Sequence, residues 1–149
     1  MINIAKVMII GSGGREHALA WWFGTHEHEV YVVPGNGGTA AFCRNIDCRV
    51  DDIDGLVRIV NEISPDLVVP GPEAPLVAGI VDRFREEEFY KRGIHIFGPG
   101  KDASTLEGSK IAARRFADDC DIPIPGFAAF DSDNPTKNAA AGKDFAKLM

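Results

Sequence analysis

The feature that most constrains the fold is a repeated pattern, in which a short apolar segment stops at glycine or proline and a helical stretch follows. The first apolar run, Ile4–Ile10, stops at Gly11 and contains a predicted strand at Val7–Ile10. Apolar residues at consecutive positions are typical of a strand that is covered on both faces of a parallel sheet. Parallel strands need crossover helices. The sequence therefore predicts an open α/β sheet.

Four strands and three crossover helices are predicted in the first hundred residues. The helix at Asp52–Ile63 is typical, because its apolar residues recur at helical spacing after an aspartate that can cap the first turn. The predicted strands are Val7–Ile10, Glu29–Val33, Leu67–Pro70 and Ile94–Phe97. The predicted helices are Arg15–Phe23, Asp52–Ile63 and a single helix that carries the stripe Leu76, Val77, Ile80, Val81 and Phe84 and ends at Gly93.

The alternation changes near Lys101, and a domain boundary is predicted there. Residues 1–100 are predicted to form one domain, and residues 101–149 linker helices and the start of a second domain that is too short to bury its own core. The pattern predicts helices at Lys101–Glu107 and Ser109–Asp119, a strand at Gly126–Phe130, a polar segment at Asp131–Gly142 and a short helix at Lys143–Met149.

Composition and charge exclude several classes of protein. The 149 residues carry a net charge of −6, whereas a duplex nucleic-acid binder normally has a basic excess. No apolar run approaches the roughly 18 residues of a membrane span. We therefore expect a cytoplasmic protein with no nucleic-acid or membrane partner. The three cysteines, Cys43, Cys48 and Cys120, lack the spacing of a zinc site and are expected to be reduced thiols.

The loop Gly11–His17, after the first strand, is the strongest candidate for ligand binding. Glycines let a backbone approach a ligand, the start of a helix favours an anion, and Arg15 can grip a phosphate or carboxylate. It is not a dinucleotide fingerprint, because Glu16 stands where a glycine is required and no acidic residue ends the second strand. It is not a Walker A loop, since Gly-Lys-Ser/Thr is absent. A tight turn without a ligand remains the alternative.

Two further loops follow predicted strands and are expected at the same edge of the sheet. Pro34–Thr39 is rich in glycine and contains Asn36, although such a loop is often a simple turn. Gly71–Leu76 contains Pro72 and Glu73. A carboxylate near a helix N-terminus is favourable without any ligand, so a structural role for Glu73 also remains open.

The remaining candidates are weaker. Lys110 begins a predicted helix and can contact a phosphate or stay solvated. Trp21 and Trp22 lie within the first predicted helix and are interpreted as packing residues. No arrangement of serine, cysteine and histidine indicates covalent catalysis. No catalytic residue and no metal ligand is predicted in this chain.

Five segments, in this order, resemble glycinamide ribonucleotide synthetase (phosphoribosylamine–glycine ligase), of the ATP-grasp superfamily. Together they lie within about residues 5–125 and form a specific combination, although each is weak alone. The segments are VMIIGSGGREHALAW (Val7–Trp21), VYVVPGNGGTA (Val30–Ala40), PDLVVPGPEAPLVAGIVDRF (Pro65–Phe84), IFGP (Ile96–Pro99) and LEGSKIAARRF (Leu106–Phe116).

The resemblance implies a Rossmann-like pre-ATP-grasp domain followed by the start of an incomplete ATP-grasp region. It also implies an enzyme of de novo purine biosynthesis that uses ATP and Mg²⁺, or Mn²⁺, to join 5-phosphoribosylamine and glycine through a glycyl phosphate. Lys110 would contact ATP. The substrate side would be lined by Gly13, Gly14, Arg15, Glu16, Pro34, Gly35, Asn36, Pro72 and Glu73.

The sequence also departs from this family. The resemblance fades after Pro125, before the family's glycine-rich ATP-covering segment, its second nucleotide lysine and its metal ligands. We therefore expect the chain alone to be inactive, to bind neither ATP nor Mg²⁺ tightly and to need the missing ATP-grasp domain as its partner. Trp22 replaces a residue that is usually polar and is expected to add apolar surface against an absent domain. The alternatives are a folded non-catalytic fragment and a nicotinamide-dependent oxidoreductase domain, which Glu16 disfavours.

Overall fold

A computed structural model of the chain describes residues 5–130 and 135–148. The chain divides into two compact units, Met1–Gly108 and Ser109–Met149. The first unit confirms the predicted α/β architecture. Its strands are β1 (Lys6–Gly11), β2 (Glu29–Pro34), β3 (Arg44–Asn45), β4 (Leu67–Pro70) and β5 (His95–Ile96). They form one parallel sheet in the order β3-β2-β1-β4-β5.

Helices and short 3₁₀ turns cover the two faces of this sheet. The helices of the first unit are α1 (Gly14–Thr25), α2 (Ile53–Ile63), α3 (Ala74–Ala78), α4 (Ile80–Glu86) and α5 (Lys101–Gly108), and the 3₁₀ turns are Thr39–Ala41 and Phe89–Arg92. Because α5 belongs to the first compact unit, that unit extends beyond residue 100. The predicted domain boundary at that residue stays a prediction.

The central strand β1 explains the unbroken apolar run. Met8 and Ile10 pack into a core on one face with α2 and α4, whereas Val7 and Ile9 pack into a second core on the other face with Ala20 of α1. These four side chains are all fully buried. Since successive side chains of a strand point to opposite faces, a strand between two cores must be apolar at every position. Ile4, where the predicted run begins, lies outside the described residues.

The helix α2 begins and ends as its sequence predicts. Asp52 is the N-cap, and its side chain accepts a hydrogen bond from the Gly55 N–H at 2.9 Å. The helix ends at Ile63, and its C-cap, Ser64, has a φ of 47° in the left-handed region. The N–H groups in the first turn of a helix have no carbonyl partner within the helix, and the carboxylate of Asp52 accepts a hydrogen bond from one of them.

The predicted single helix that ends at Gly93 is wrong. Gly79 has a φ of 98°, a left-handed conformation that no α-helix contains, and it separates α3 from α4. The chain then forms the 3₁₀ turn at Phe89–Arg92 instead of continuing the helix. The apolar stripe continues across the break, so its spacing alone does not show it. The sequence analysis also missed β3, which has only two residues, both polar.

The second unit contains the helices α6 (Lys110–Asp119) and α7 (Pro135–Leu148). Ser109 caps α6 by accepting a hydrogen bond from the Ala112 N–H at 3.2 Å. The predicted strand Gly126–Phe130 is wrong, because these residues are neither helix nor strand. The predicted helix at Lys143–Met149 starts too late, because α7 already begins at Pro135. A proline suits the first turn of a helix, and the alanines that follow favour its extension. Residues 131–134 and Met149 lie outside the described residues.

The two units differ in how many of their side chains are buried. The first contains two apolar cores, whereas no side chain whose exposure is described in the second is buried. Within residues 5–130 and 135–148, no helix is both long and apolar enough to cross a membrane.

Asp66 fixes the start of β1 to the turn that leads into β4. Its Oδ2 accepts hydrogen bonds from the Lys6 and Ala5 N–H groups, both at 2.8 Å. These two donors hold the pKa of the Asp66 carboxyl below its usual value. The carboxylate therefore contributes stability above the pKa of the unfolded chain, and this contribution is lost as the pH falls through the lower folded-state pKa.

We expect Asp66→Asn to lower the free energy of unfolding at pH 7 by about 1 kcal/mol, because a neutral amide accepts these hydrogen bonds more weakly than a carboxylate. The difference from the parent chain should shrink as the pH falls below about 4, because the carboxyl of the unfolded parent chain takes up a proton there before that of the folded chain does. Urea unfolding at pH 7 and pH 3 measures both effects, with Asp47→Asn in an exposed loop as the control. An equal difference at the two pH values would contradict this role of the charge.

Candidate functional site

Three of the predicted loops meet at the carboxyl edge of the sheet. Because β1 lies between β2 and β4, the loops after these strands are neighbours, and the strand order reverses beside β1. The Gly35 N–H donates to the Gly11 carbonyl oxygen at 3.1 Å, and the Gly71 N–H donates to the Ile10 carbonyl oxygen at 2.8 Å. The parallel pairing thus continues into the loops and holds their backbones together.

Asn36 joins the loop after β2 to the loop after β1. Its Nδ2 donates to the Ser12 carbonyl oxygen at 2.9 Å, and its Oδ1 accepts from the Gly38 and Thr39 N–H groups at 2.8 and 3.0 Å. Both ends of the side-chain amide are therefore engaged within the protein. Asn36 thus fixes the shape of its own loop, and its predicted place beside the substrate stays a prediction.

Thr39 and Asn45 complete this loop, and the sequence analysis missed both. The fully buried Thr39 hydroxyl accepts from the Asn36 N–H at 2.8 Å, and the Asn45 Nδ2 donates to the Asn36 carbonyl oxygen at 2.9 Å. Gly35, after the cis Val33–Pro34 peptide bond, has a φ of 74°, and a Cβ there would lie 2.5 Å from Asn45 Cγ. A threonine directly after a pair of glycines is the signal that could have indicated this buried hydroxyl.

The loop after β1 leads directly into α1. Gly13 is the N-cap, and its N–H donates to Glu16 Oε2 at 2.6 Å. Glu16 is only 3% exposed, and its Oε1 has no hydrogen-bond partner among the described residues. The Arg15 side chain is 74% exposed, with its Nε 3.9 Å from Glu16 Oε1. Adjacent residues thus differ in environment: the carboxylate points inward and the guanidinium lies in solvent.

The loop after β4 leads into the short helix α3. Glu73 is the exposed N-cap of α3, and its side chain makes no capping hydrogen bond. Pro72 is half-buried, and a Cβ at Gly11 would lie 3.0 Å from its Cδ, so it packs beside the loop after β1. Arg15 and Glu73 are the two exposed charged side chains of the three loops, one of each sign. The edge therefore offers a donor group and an acceptor group to a ligand.

Lys110 lies in the second unit, at the start of α6, and is exposed. It lines a cavity of about 320 Å³ together with Arg114 and Phe127. The Arg114 guanidinium lies 5.8 Å from the centre of the Phe127 ring, and its Nη1 donates to the Pro125 carbonyl oxygen at 3.5 Å. This unit combines two cationic side chains with an aromatic surface.

Titratable side chains give no indication of a metal centre in the described residues. Within residues 5–130 and 135–148, no three His, Cys, Asp or Glu side chains lie close enough together to hold a metal ion. Cys43, Cys48 and Cys120 are free thiols, and burial raises the pKa of Cys43 and of Cys48. These two thiols therefore stay protonated at neutral pH.

The interpretation of the tryptophans as packing residues is wrong. Trp21 and Trp22 are 57% and 48% exposed, and the buried residues of α1 are Glu16 and Ala20. The Trp22 ring stacks on His26, with ring centres 4.2 Å apart. The expected apolar surface at Trp22 is thus present, whereas its coverage by a further domain stays a prediction.

Comparison with known families and proteins gives a consistent result. The family described as "Phosphoribosylglycinamide synthetase, N domain" matches residues 5–107. The phosphoribosylamine–glycine ligase of Xanthomonas campestris is 48% identical over 127 residues, which are 83% of this chain and 28% of that protein. That of Rhodopirellula baltica is 44% identical over 129 residues, with 85% and 28% covered. This chain thus spans less than a third of the length of these curated relatives.

Solved structures with a similar fold include a ligase and a synthase. The crystal structure of phosphoribosylamine–glycine ligase from Thermotoga maritima has a TM-score of 0.54 and 31% identity, with 76% of this chain and 24% of that chain covered. N5-carboxyaminoimidazole synthase from Aspergillus clavatus, solved with ADP and 5-aminoimidazole ribonucleotide, has a TM-score of 0.70 over 97% of this chain and 37% of that chain. At 16% identity, the latter shows a likeness of fold alone.

The space at Gly71 gives a test of how tightly these loops pack. A Cβ at this position would lie 2.5 Å from Glu16 Cδ and closer still to Glu16 Oε1. We expect Gly71→Ala to destabilise the chain by about 2 kcal/mol, since overpacking of a tight site costs about 1–3 kcal/mol. Urea unfolding measures the loss. Gly37→Ala is the matched control, because a Cβ at Gly37 would meet nothing within 4 Å; an equal loss in both variants would contradict the steric explanation.

Proposed function

Because the chain belongs to the phosphoribosylglycinamide synthetase family, we propose that it is the N-terminal, substrate-binding part of a phosphoribosylamine–glycine ligase. The phosphoribosyl substrate binds at the carboxyl edge of the sheet. Glycinamide ribonucleotide, the product, shares the phosphoribosyl group and binds the same loops. The ligase activity belongs to the longer protein, and this chain alone is inactive.

The observation that carries the proposal is the juxtaposition of the three loops, with one exposed cation and one exposed carboxylate on a fixed backbone. Arg15 presents a planar guanidinium that matches two phosphate oxygens at once. It stands in the first turn of α1, where unpaired N–H groups and the helix dipole also favour an anion. We assign the phosphate of the ligand to this end of the edge.

Glu73 provides the opposite chemistry at the loop after β4. Its exposed carboxylate can accept hydrogen bonds from the amine of 5-phosphoribosylamine or from a ribose hydroxyl. An acceptor that holds the amine by its hydrogens leaves the nitrogen lone pair available for reaction. We assign the backbones of Gly14, Pro34, Gly35 and Pro72 to the part of the site between these two side chains.

The reaction we assign to the longer protein consists of two transfers. The glycine carboxylate attacks the terminal phosphorus of ATP, which releases ADP and forms glycyl phosphate. The amine of 5-phosphoribosylamine then attacks the carbonyl carbon, phosphate leaves, and the nitrogen loses one proton. In this scheme the present loops hold the phosphoribosyl group and orient its amine, an entropic contribution to the second transfer.

ATP and a divalent cation belong mainly to the part of the ligase beyond this chain. Lys110 and the cation–aromatic cavity beside it fit one edge of a nucleotide, and we propose that Lys110 contacts ATP. We assign the Mg²⁺ ligands to the ATP-grasp domain of the longer ligase. We propose that this domain is the partner of the present chain. We also propose that the protein lies in the cytoplasm.

Calorimetric titration of this chain with glycinamide ribonucleotide tests the proposal. We expect binding, and we expect Arg15→Ala to weaken it by about 10- to 100-fold, because a charge-assisted hydrogen-bond pair contributes about 1.5–3 kcal/mol. The matched control is Arg58→Ala, which removes an exposed arginine from α2, outside the three loops.

Three outcomes would contradict the proposal in different ways. Unchanged affinity in Arg15→Ala would remove Arg15 from the site. Binding of NAD by the parent chain would favour a dinucleotide-binding domain instead. Binding of neither ligand would mean that the loops form no site by themselves and that the chain is a folded fragment without binding activity.

A further inference from the structure

We infer that Glu16 is a positioning residue, which fills the space between the loops after β1 and β4 and fixes them without touching the ligand. The inference rests on the proposed function for the identity of the ligand only. It reassigns a residue that the sequence places beside the substrate, and it changes the interpretation of the glycines around it.

The first argument is the environment of the carboxylate. Glu16 is 3% exposed, and its Oε2 accepts the Gly13 N–H at 2.6 Å. One oxygen of this buried carboxylate thus accepts a short, charge-assisted hydrogen bond from the protein. The other, Oε1, has no hydrogen-bond partner among the described residues, but it is buried and lies against Gly71, so it offers little surface to a ligand. The neighbouring Arg15 has the opposite exposure and faces solvent.

The second argument is the shape of the space that Glu16 occupies. A Cβ at Gly11 would lie 2.6 Å from Glu16 Cγ, a Cβ at Gly13 would lie 2.8 Å from its Oε2, and a Cβ at Gly71 would lie 2.5 Å from its Cδ. Three glycines from two loops thus surround one glutamate side chain. Gly14 differs, because a Cβ there would meet nothing within 4 Å.

The glycines of the first loop therefore have two different functions. Gly11 and Gly13 leave room for a side chain of the protein itself, as does Gly71 in the loop after β4. Of the three glycines in the first loop, only Gly14 borders open space where a ligand can approach the backbone. A glycine-rich sequence that resembles a phosphate-binding loop is here mainly the cradle of a buried carboxylate.

A double-mutant cycle tests this assignment without any ligand. Gly71→Ala should lower the urea midpoint of the parent chain and of Glu16→Gln, because glutamine has nearly the size of glutamate. In Glu16→Ala the space is vacant, so the added methyl group should leave the midpoint unchanged or raise it. Glu16→Asp, which is one carbon shorter, replaces the alanine variant if that chain does not fold, and Gly71→Ala should then cost less than in the parent.

If Gly71→Ala lowered the urea midpoint equally in every background, the inference would be overturned, because the added methyl group would then clash with something other than Glu16. This stability cycle is independent of ligand binding. A failure of the parent chain to bind glycinamide ribonucleotide would therefore contradict the proposed function and leave the cycle interpretable.

The second arm compares affinity for glycinamide ribonucleotide in the folded variants. We expect Glu16→Ala to bind at least 10-fold more weakly and Glu16→Gln to restore most of the lost affinity, since its amide oxygen still accepts the Gly13 N–H. The Gly13 amide proton resonance reports that hydrogen bond directly, and it should move further in Glu16→Ala than in Glu16→Gln. Equal loss of affinity in both variants, with the Gly13 resonance kept in Glu16→Gln, would show that the charge meets the ligand and would overturn the inference.

Discussion

The burial of β1 on both faces is the constraint on which the rest of the first unit depends. Its side chains point alternately into two cores, one shared with α2 and α4 and the other with α1. Such a strand must have a partner on each side, because a buried N–H or carbonyl group without a hydrogen bond is costly. With β2 and β4 as those partners, three strands end at one edge. The candidate site follows from this pairing rather than from any single loop.

The fold was predictable to the extent that it depends on local patterns. Alternation of apolar and helical segments indicated the parallel sheet, and the pair Asp51 and Asp52 indicated the start of α2, where Asp52 is the N-cap. Gly79 was not recognised as a break, because the apolar stripe continues from α3 into α4 and spacing does not report φ. The tryptophans were misplaced because the exposed side of a helix depends on what packs against it.

The candidate site was predictable as a set of loops but not as a set of roles. Glycine content and position after strands selected the three loops correctly as neighbours. Which side chain turns inward depends on contacts between residues far apart in sequence, such as Glu16 with Gly71. The amide of Asn36 is similarly occupied by its own loop and by Ser12. Residue type and spacing do not contain that information.

The hydrogen bonds between the loops also determine when a site can exist during synthesis. The Gly71 N–H pairs with the Ile10 carbonyl oxygen, and the Gly35 N–H pairs with the Gly11 carbonyl oxygen. Contacts over such separations in sequence form slowly and late compared with local turns. A nascent chain shorter than about β4 therefore exposes the glycine-rich segment without its counterpart. The segment acquires a defined shape only after the central strands have left the ribosome and paired.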